Sequence, residues 1–167
     1  MTHEQSQSVQ KLGTMIQGIQ IAMMTTEESD GVLRSRPMAT QNSEFDGTLW
    51  FFTREHSPKV EEVQKHHMIN LSYAEPSDNR YISITGRAEL VKDENKAREL
   101  WNPLLKAWFP KGLSDPELAL LKVTVDHAEY WETTSSTMVQ VVGFLKAVTT
   151  GKKADHVGDH GKLDLAG

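Results

Sequence analysis

Residues 19–40 read IQIAMMTTEESDGVLRSRPMAT, two β-favouring runs on either side of an Asp-Gly step. Asp-Gly between two such runs is a strong signal for a tight hairpin turn, so we predict that the chain folds back at Asp30-Gly31. Side chains of the second run alternate between two faces, and Pro37 places that strand at a sheet edge, a bulge or a barrel rim. The sheet therefore begins with an antiparallel hairpin.

More strands follow this hairpin. A second Asp-Gly step in QNSEFDG, residues 41–47, predicts another tight turn, so TLWFFT at 48–53 would be the third strand of a meander and pair with the second. Further β-favouring runs lie at 68–75, 80–91 and 118–133. We therefore expect about six strands.

Helical segments interrupt the strands. Four are predicted: one over about 4–18, a short one that begins at Ser57, one that begins at Asp93, and a last one over 135–151, capped by Ser135 or Ser136. About six strands with three or four helices favour an α+β antiparallel barrel over a doubly wound parallel sheet. With 167 residues, we expect a single domain over 1–150 and a polar, extended C-terminal tail over 151–167.

The composition excludes several classes of protein. The sequence has no cysteine, which removes cysteine nucleophiles, iron–sulfur clusters and zinc ribbons and fits a reducing cytoplasm. A formal net charge of −5 argues against a general nucleic-acid binder. The sequence shows no signal-peptide pattern and no apolar run long enough to cross a bilayer, so we expect a soluble, cytoplasmic protein without a membrane partner.

One point of the sequence combines groups that bind a phosphate monoester. Ser57, Pro58 and Lys59 open a helix, so free backbone N–H groups and the positive end of the helix dipole lie beside a hydroxyl and an ammonium. Thr53 can add a hydroxyl, and Arg36 on the predicted neighbouring strand can add a guanidinium. An ordinary helix cap and a surface ion pair of Arg36 would explain the same residues, so these residues alone leave both interpretations open.

Three segments in this order, LRSRPM at 33–38, WFFTREHSPK at 50–59 and AEYW at 128–131, resemble the pyridoxamine 5′-phosphate oxidase-like superfamily, and most closely its bacterial general stress protein branch. The resemblance runs from IAMMTT to AEYW and covers nearly the whole chain. It implies a six-stranded antiparallel split barrel that forms a homodimer with two molecules of flavin mononucleotide (FMN) at the subunit interface. FAD, with its adenosine part outside, could occupy the same phosphate site.

The resemblance also implies which residues hold the cofactor. On the first FMN strand these are Arg34, Ser35, Arg36, Pro37 and Met38, with the side chain of Arg36 on the cofactor and the backbone near Met38 beside the flavin ring. The resemblance implies that the ribityl chain and phosphate are held by Phe52, Thr53, Ser57 and Lys59. The middle residue of Ser-x-Lys is arginine in the oxidase proper and Pro58 here, so one phosphate contact is lost.

The last motif places Trp131 where the family often has a tryptophan close to the flavin of the partner subunit; without the resemblance, a core aromatic would be the favoured interpretation. The oxidases proper then have a segment rich in arginine and histidine that grips the substrate phosphate. Here residues 132–142 read ETTSSTMVQVV, and no positive charge follows until Lys146. An unpaired buried phosphate is costly, so vitamin B6 phosphate oxidation is not expected.

Two functions stay open. The first is an FMN-dependent oxidoreductase with an unknown substrate and no evident general base, and the second is a non-catalytic flavin-binding stress-response protein. Haem is a weaker ligand because no histidine has a clear axial context. We predict no native metal centre, since adjacent histidines in a strand would face opposite ways and the ligands His156, Asp159 and His160 lie in a glycine-containing tail.

Overall fold

The computed structural model describes residues 2–133, 148 and 159–166. Its helices and strands, in chain order, are α1 (His3–Ile16), β1 (Ile21–Glu27), β2 (Leu33–Ala39), β3 (Thr48–Arg54), α2 (Pro58–Lys65), β4 (Met68–Glu75), β5 (Arg80–Val91), α3 (Glu94–Leu100), β6 (Leu118–Glu132) and β7 (Asp159–Asp164). Single 3₁₀ turns lie at Pro76–Asp78, Pro103–Ala107 and Gly112–Ser114. Apart from residue 148, the helix predicted over 135–151 lies outside the described residues.

The strands form one antiparallel sheet in the order β2-β1-β4-β5-β6-β3, with β7 paired to β6. Strand β6 is long enough for β5 to follow most of one edge, while β3 and β7 share the other edge, β3 beside 118–124 and β7 beside 127–132. The sheet curls so that its end strands approach, and the backbone N–H of Gln41 donates to the carbonyl of Trp50 at 3.1 Å. This curled sheet with its flanking helices confirms the predicted split-barrel fold.

The first predicted hairpin is confirmed. Strands β1 and β2 pair antiparallel from Ile21 opposite Ala39 to Glu27 opposite Leu33. In the turn between them, the backbone N–H of Val32 donates to the Asp30 carboxylate at 3.1 Å, and Gly31 has φ +85°, a conformation that favours glycine. The local Asp-Gly signal was therefore sufficient here.

The predicted meander is wrong, because β3 pairs with β6 and not with β2. The Asp46-Gly47 step does turn the chain, with Gly47 at φ +102° and the Asp46 carboxylate accepting from the N–H of Thr48 at 2.9 Å. However, the irregular residues 40–45 precede this turn, and Phe45 packs on the core against α1. The connection therefore carries β3 across the barrel instead of folding it back on β2.

The sequence predicts an extended tail over 151–167. Within the described part of that tail, residues 159–164 form strand β7, which extends the sheet. The pairs run from Glu132 opposite Asp159 to His127 opposite Asp164. Gly161 is required at its position, since a Cβ there would lie 2.6 Å from the hydroxyl oxygen of Tyr130. The six barrel strands thus gain a seventh.

The barrel interior holds the main core, to which α1 and α2 contribute their buried faces. A smaller core lies on the outer face of β3 and the start of β6, where α3 and the turns after it cover Phe52 and Leu120. The rest of the outer face is uncovered, and its exposed apolar side chains are Ile21, Met23, Leu33, Met68, Tyr81 and Trp131. In the described part of the chain, no helix is both long and apolar enough to cross a membrane.

Candidate functional site

The helix start predicted at Ser57 lies directly after β3. Ser57 has the extended backbone of an N-cap residue, and Pro58 takes the first helical position, where its missing N–H is no loss. The Ser57 side chain makes no capping hydrogen bond. Its hydroxyl oxygen lies 3.4 Å from that of the buried Thr53, so two hydroxyl groups meet at the N-terminus of α2.

Lys59 follows Ser57 by two residues in the first turn of the same helix, and its ammonium feels the charges of Arg36 and Glu62. Burial lowers the pKa of the half-buried Lys59 below its usual 10.5, and the positive charge of nearby Arg36 lowers the pKa further. The carboxylate of Glu62 acts in the opposite direction, but it is already bonded to Arg36. An anion placed beside Lys59 would therefore supply stabilising charge.

Arg36 itself is held in a buried polar network. Its Nη2 lies 2.8 Å from Oε2 of Glu62, and its Nη1 donates to the hydroxyl of Thr26 at 2.5 Å, while that hydroxyl donates to Glu62. The side chains of Arg36 and Glu62 are only 19% and 10% exposed. The network joins β1, β2 and α2. The sequence had predicted that Arg36 would lie on a strand paired with β3. In the structure β2 and β3 do not pair, and Arg36 bonds to Glu62 of α2 instead.

The remaining predicted residues of β2 make no hydrogen bond to the hydroxyls of Thr53 and Ser57, although Arg34 lines a surface pocket with Pro58 and Glu62. Arg34 pairs with Glu28 at 3.2 Å, and the Ser35 hydroxyl lies 2.7 Å from that of Thr25. Arg34, Ser35 and Pro37 are exposed, whereas Met38 is buried against the core. They form an open edge strand along which a planar ligand could lie.

Phe52 does not face the hydroxyl cluster. Neighbouring side chains of a strand point to opposite faces, so Phe52 points away from Thr53 and into the smaller core. There its ring packs edge-on against Trp101 at 5.8 Å between centroids. Its predicted cofactor contact is therefore restricted to the backbone.

Trp131 lies far from the hydroxyl cluster of the same chain. It follows Ala119, the residue that pairs with Thr53, by twelve positions, which corresponds to about 40 Å of strand. A bulge opposite Thr85 and Gly86 shifts the register of β6 and turns Trp131 to the outer face. One FMN cannot contact both groups of a single chain, so a site that includes Trp131 requires two chains.

Two groups near the site were missed by the sequence analysis. Thr26 lies diagonally across the first hairpin from Arg36, a relation that follows from the predicted turn at Asp30-Gly31. The pairing of Glu62 with Arg36 gave no local signal in the sequence.

His160 was considered above only as a metal ligand. In the structure it bonds to Glu129, and the described residues contain no group of three potential metal ligands.

The fold and site define a small split barrel with two hydroxyls and a half-buried lysine at the start of a helix. Residues 7–155 match the family described as Pyridoxamine 5'-phosphate oxidase like. The chain belongs to this family. It is also similar to the curated "Protein bli-3" of Neurospora crassa, with 31% identity over 158 residues that cover 89% of this chain and 76% of that protein.

Solved structures share the fold. General stress protein 26 from Jannaschia sp. CCS1 superposes with a TM-score of 0.72 over 95% of this chain and 99% of its own, at 21% identity. The general stress FMN/FAD binding protein from Xanthomonas citri superposes with a TM-score of 0.67 over 78% of this chain and 92% of its own, at 26% identity. The family match over residues 7–155 confirms the predicted superfamily, and the Xanthomonas citri structure at 26% identity supports its general stress protein branch.

Proposed function

We propose that the chain binds FMN through its phosphate at the N-terminus of α2 and works as a flavin-dependent oxidoreductase on an unknown substrate. The observation that carries this proposal is the first turn of α2, where the half-buried Lys59 follows Ser57, whose hydroxyl meets that of Thr53. Burial and the positive charge of Arg36 lower the pKa of Lys59, and a phosphate placed beside the ammonium would stabilise its charged form. The Xanthomonas citri protein, described as FMN/FAD binding, supports a flavin as the ligand.

The residues present fit a single phosphate group. Arg36, Lys59 and Glu62 together carry one net positive charge, and the first turn of α2 adds the positive end of its dipole. Two phosphates would bring further negative charge close to Glu62. We therefore favour FMN as the resident flavin, with FAD as the alternative.

We propose a cytoplasmic homodimer formed through the uncovered outer face of the sheet. Exposed apolar side chains such as Met23, Tyr81 and Trp131 surround polar groups that already bond to one another, including the amide of Asn70 and the hydroxyl of Ser83 at 2.8 Å. A second chain on this face would bring its Trp131 to the flavin of the first. The cysteine-free sequence supports the reducing compartment.

FMN, when bound, supplies hydride and electron transfer, and the chain supplies binding and orientation. Lys59, Ser57 and Thr53 would fix the phosphate end, while the open edge of β2 would border the ring near Met38. The buried Arg36–Glu62 pair holds α2 against the first hairpin and so keeps the phosphate end and the ring end in a fixed relation. Positioning of this kind is the main contribution that the described residues can make.

The alternative function is a non-catalytic flavin-binding stress protein. It is favoured by residues 132–142, which contain no positive charge to pair with a phosphorylated substrate. To separate the two, the FMN-loaded protein is mixed anaerobically with NADPH or NADH and its flavin absorption is followed, with free FMN as the control. Bleaching faster than free FMN, followed by recovery in air, is expected for the oxidoreductase; a bound flavin that bleaches no faster than free FMN would contradict catalysis and favour the alternative.

A further inference from the structure

Strand β7 places an aromatic partner directly against Trp131. His160 is the residue opposite Trp131 in the β6–β7 pairing, and the two rings stack with centroids 5.3 Å apart and planes inclined by 14°. The imidazole is fixed in turn, because its Nε2 lies 2.6 Å from Oε1 of Glu129. The indole, which is 43% exposed in the single chain, is thus covered on one face.

The beginning of β7 is fixed from the opposite side of the sheet. The hydroxyl of the buried Tyr130 lies 3.2 Å from the Asp159 carboxylate, and Lys11 of α1 bonds to the same hydroxyl. Lys11 also lies 3.8 Å from Asp159. His160, the next residue after Asp159, therefore has a fixed backbone, and successive side chains of a strand face opposite ways.

We propose that His160 is a positioning residue for Trp131 in the flavin site. The stack holds the indole in one orientation on the outer face, where the flavin of a second chain would meet it. This inference rests on the proposed function and extends it to a strand outside the three motifs that carry the family resemblance. An indole that is ordered in advance loses less conformational freedom when the flavin binds, which strengthens binding.

The stack is tested first without flavin. Acrylamide quenching of Trp131 is obtained as the difference between each protein and the same protein carrying Trp131→Phe. His160→Ala is expected to raise the quenching of Trp131, and His160→Phe, which keeps a planar ring, is expected to restore protection. The matched control is His127→Ala, which removes a histidine–carboxylate pair of 3.3 Å to Asp164 between the same two strands without touching Trp131.

The flavin role is tested by titration of the same proteins with FMN. His160→Ala is expected to weaken FMN binding about 2- to 10-fold, the range for one side chain that must be newly ordered. His160→Phe should recover the affinity, and His127→Ala should leave it unchanged. His160→Phe also separates positioning from folding, since it keeps the ring and loses the bond to Glu129.

Failure of the proposed function and failure of the His160 role give different results. A wild-type chain that retains no flavin overturns the proposed function, and the flavin role of His160 falls with it. If the wild type retains flavin while His160→Ala matches both the wild type and His127→Ala in FMN affinity, the proposed function stands and the positioning role is overturned.

Discussion

Removing Ser57 and Lys59 together, as Ser57→Ala with Lys59→Ala, should weaken binding of FMN far more than binding of riboflavin, which has no phosphate. A charge-assisted hydrogen bond from the half-buried ammonium is worth about 1.5–3 kcal/mol, and a hydroxyl adds roughly 0.5–1.5 kcal/mol. We expect a combined loss of about 2–4.5 kcal/mol, which corresponds to roughly a 30- to 1,600-fold weaker affinity for FMN. Riboflavin should lose less than about 3-fold, since both groups are proposed to serve the phosphate that it lacks.

The assay is a titration of the flavin-free protein with each ligand, followed by flavin fluorescence. Lys65→Ala is the matched control, because it removes the same charge from the exposed C-terminal end of the same helix. This control should leave FMN affinity within about 2-fold of the wild type. Equal losses of FMN and riboflavin affinity in the double variant would refute a phosphate role for these groups.

Three further predictions concern the network, the bulge and the pH dependence. Glu62→Ala should lower the free energy of unfolding in urea by about 3 kcal/mol because it leaves the guanidinium that it pairs with buried and unpaired; a loss below about 1 kcal/mol would contradict this. Gly86→Ala should lower the free energy of unfolding by about 1–3 kcal/mol, since its Cβ would lie 2.5 Å from a backbone carbonyl oxygen. Gly13→Ala in α1 meets only a side chain and should be neutral or stabilising in the same denaturation assay. FMN affinity should fall as the pH rises towards 10.5. The reason is that the pKa of Lys59 is lowered, so Lys59 loses its proton, and its attraction for phosphate, at a lower pH than an ordinary lysine. Lys59→Arg should remove this fall, and riboflavin affinity should not show it.

Local turn chemistry made the first hairpin predictable. The pairing of β3 with β2 was predicted wrongly, because the partner of β3 is set by long-range pairing. Gly31 with a positive φ is a property that Asp-Gly encodes by itself. The partner of β3 depends on residues about 70 positions later in the chain, which no local pattern specifies. One signal was nevertheless present: Phe51 and Phe52 are both buried, so β3 is covered on both faces, which an apolar run without alternation indicates.

The candidate site was predictable where it depends on a helix start. Ser57 followed by Pro58 fixes the N-terminus of α2, and this puts Lys59 in the same helical turn that begins at the Ser57 and Thr53 hydroxyls. The pairing of Arg36 with Glu62 was not predictable, since it depends on how α2 packs against the hairpin. His160 gave no signal, because a polar strand with a glycine has neither the composition nor the alternation of a buried one.

The visible absorption spectrum of the protein purified without added cofactor, repeated after FMN is added and the excess removed by desalting, tests flavin binding most directly. We expect flavin bands that survive desalting at one flavin per chain in the wild type. The Ser57→Ala, Lys59→Ala variant should lose these bands under the same treatment. A wild-type protein that stays colourless after both steps would contradict flavin binding and leave a split barrel of unknown ligand.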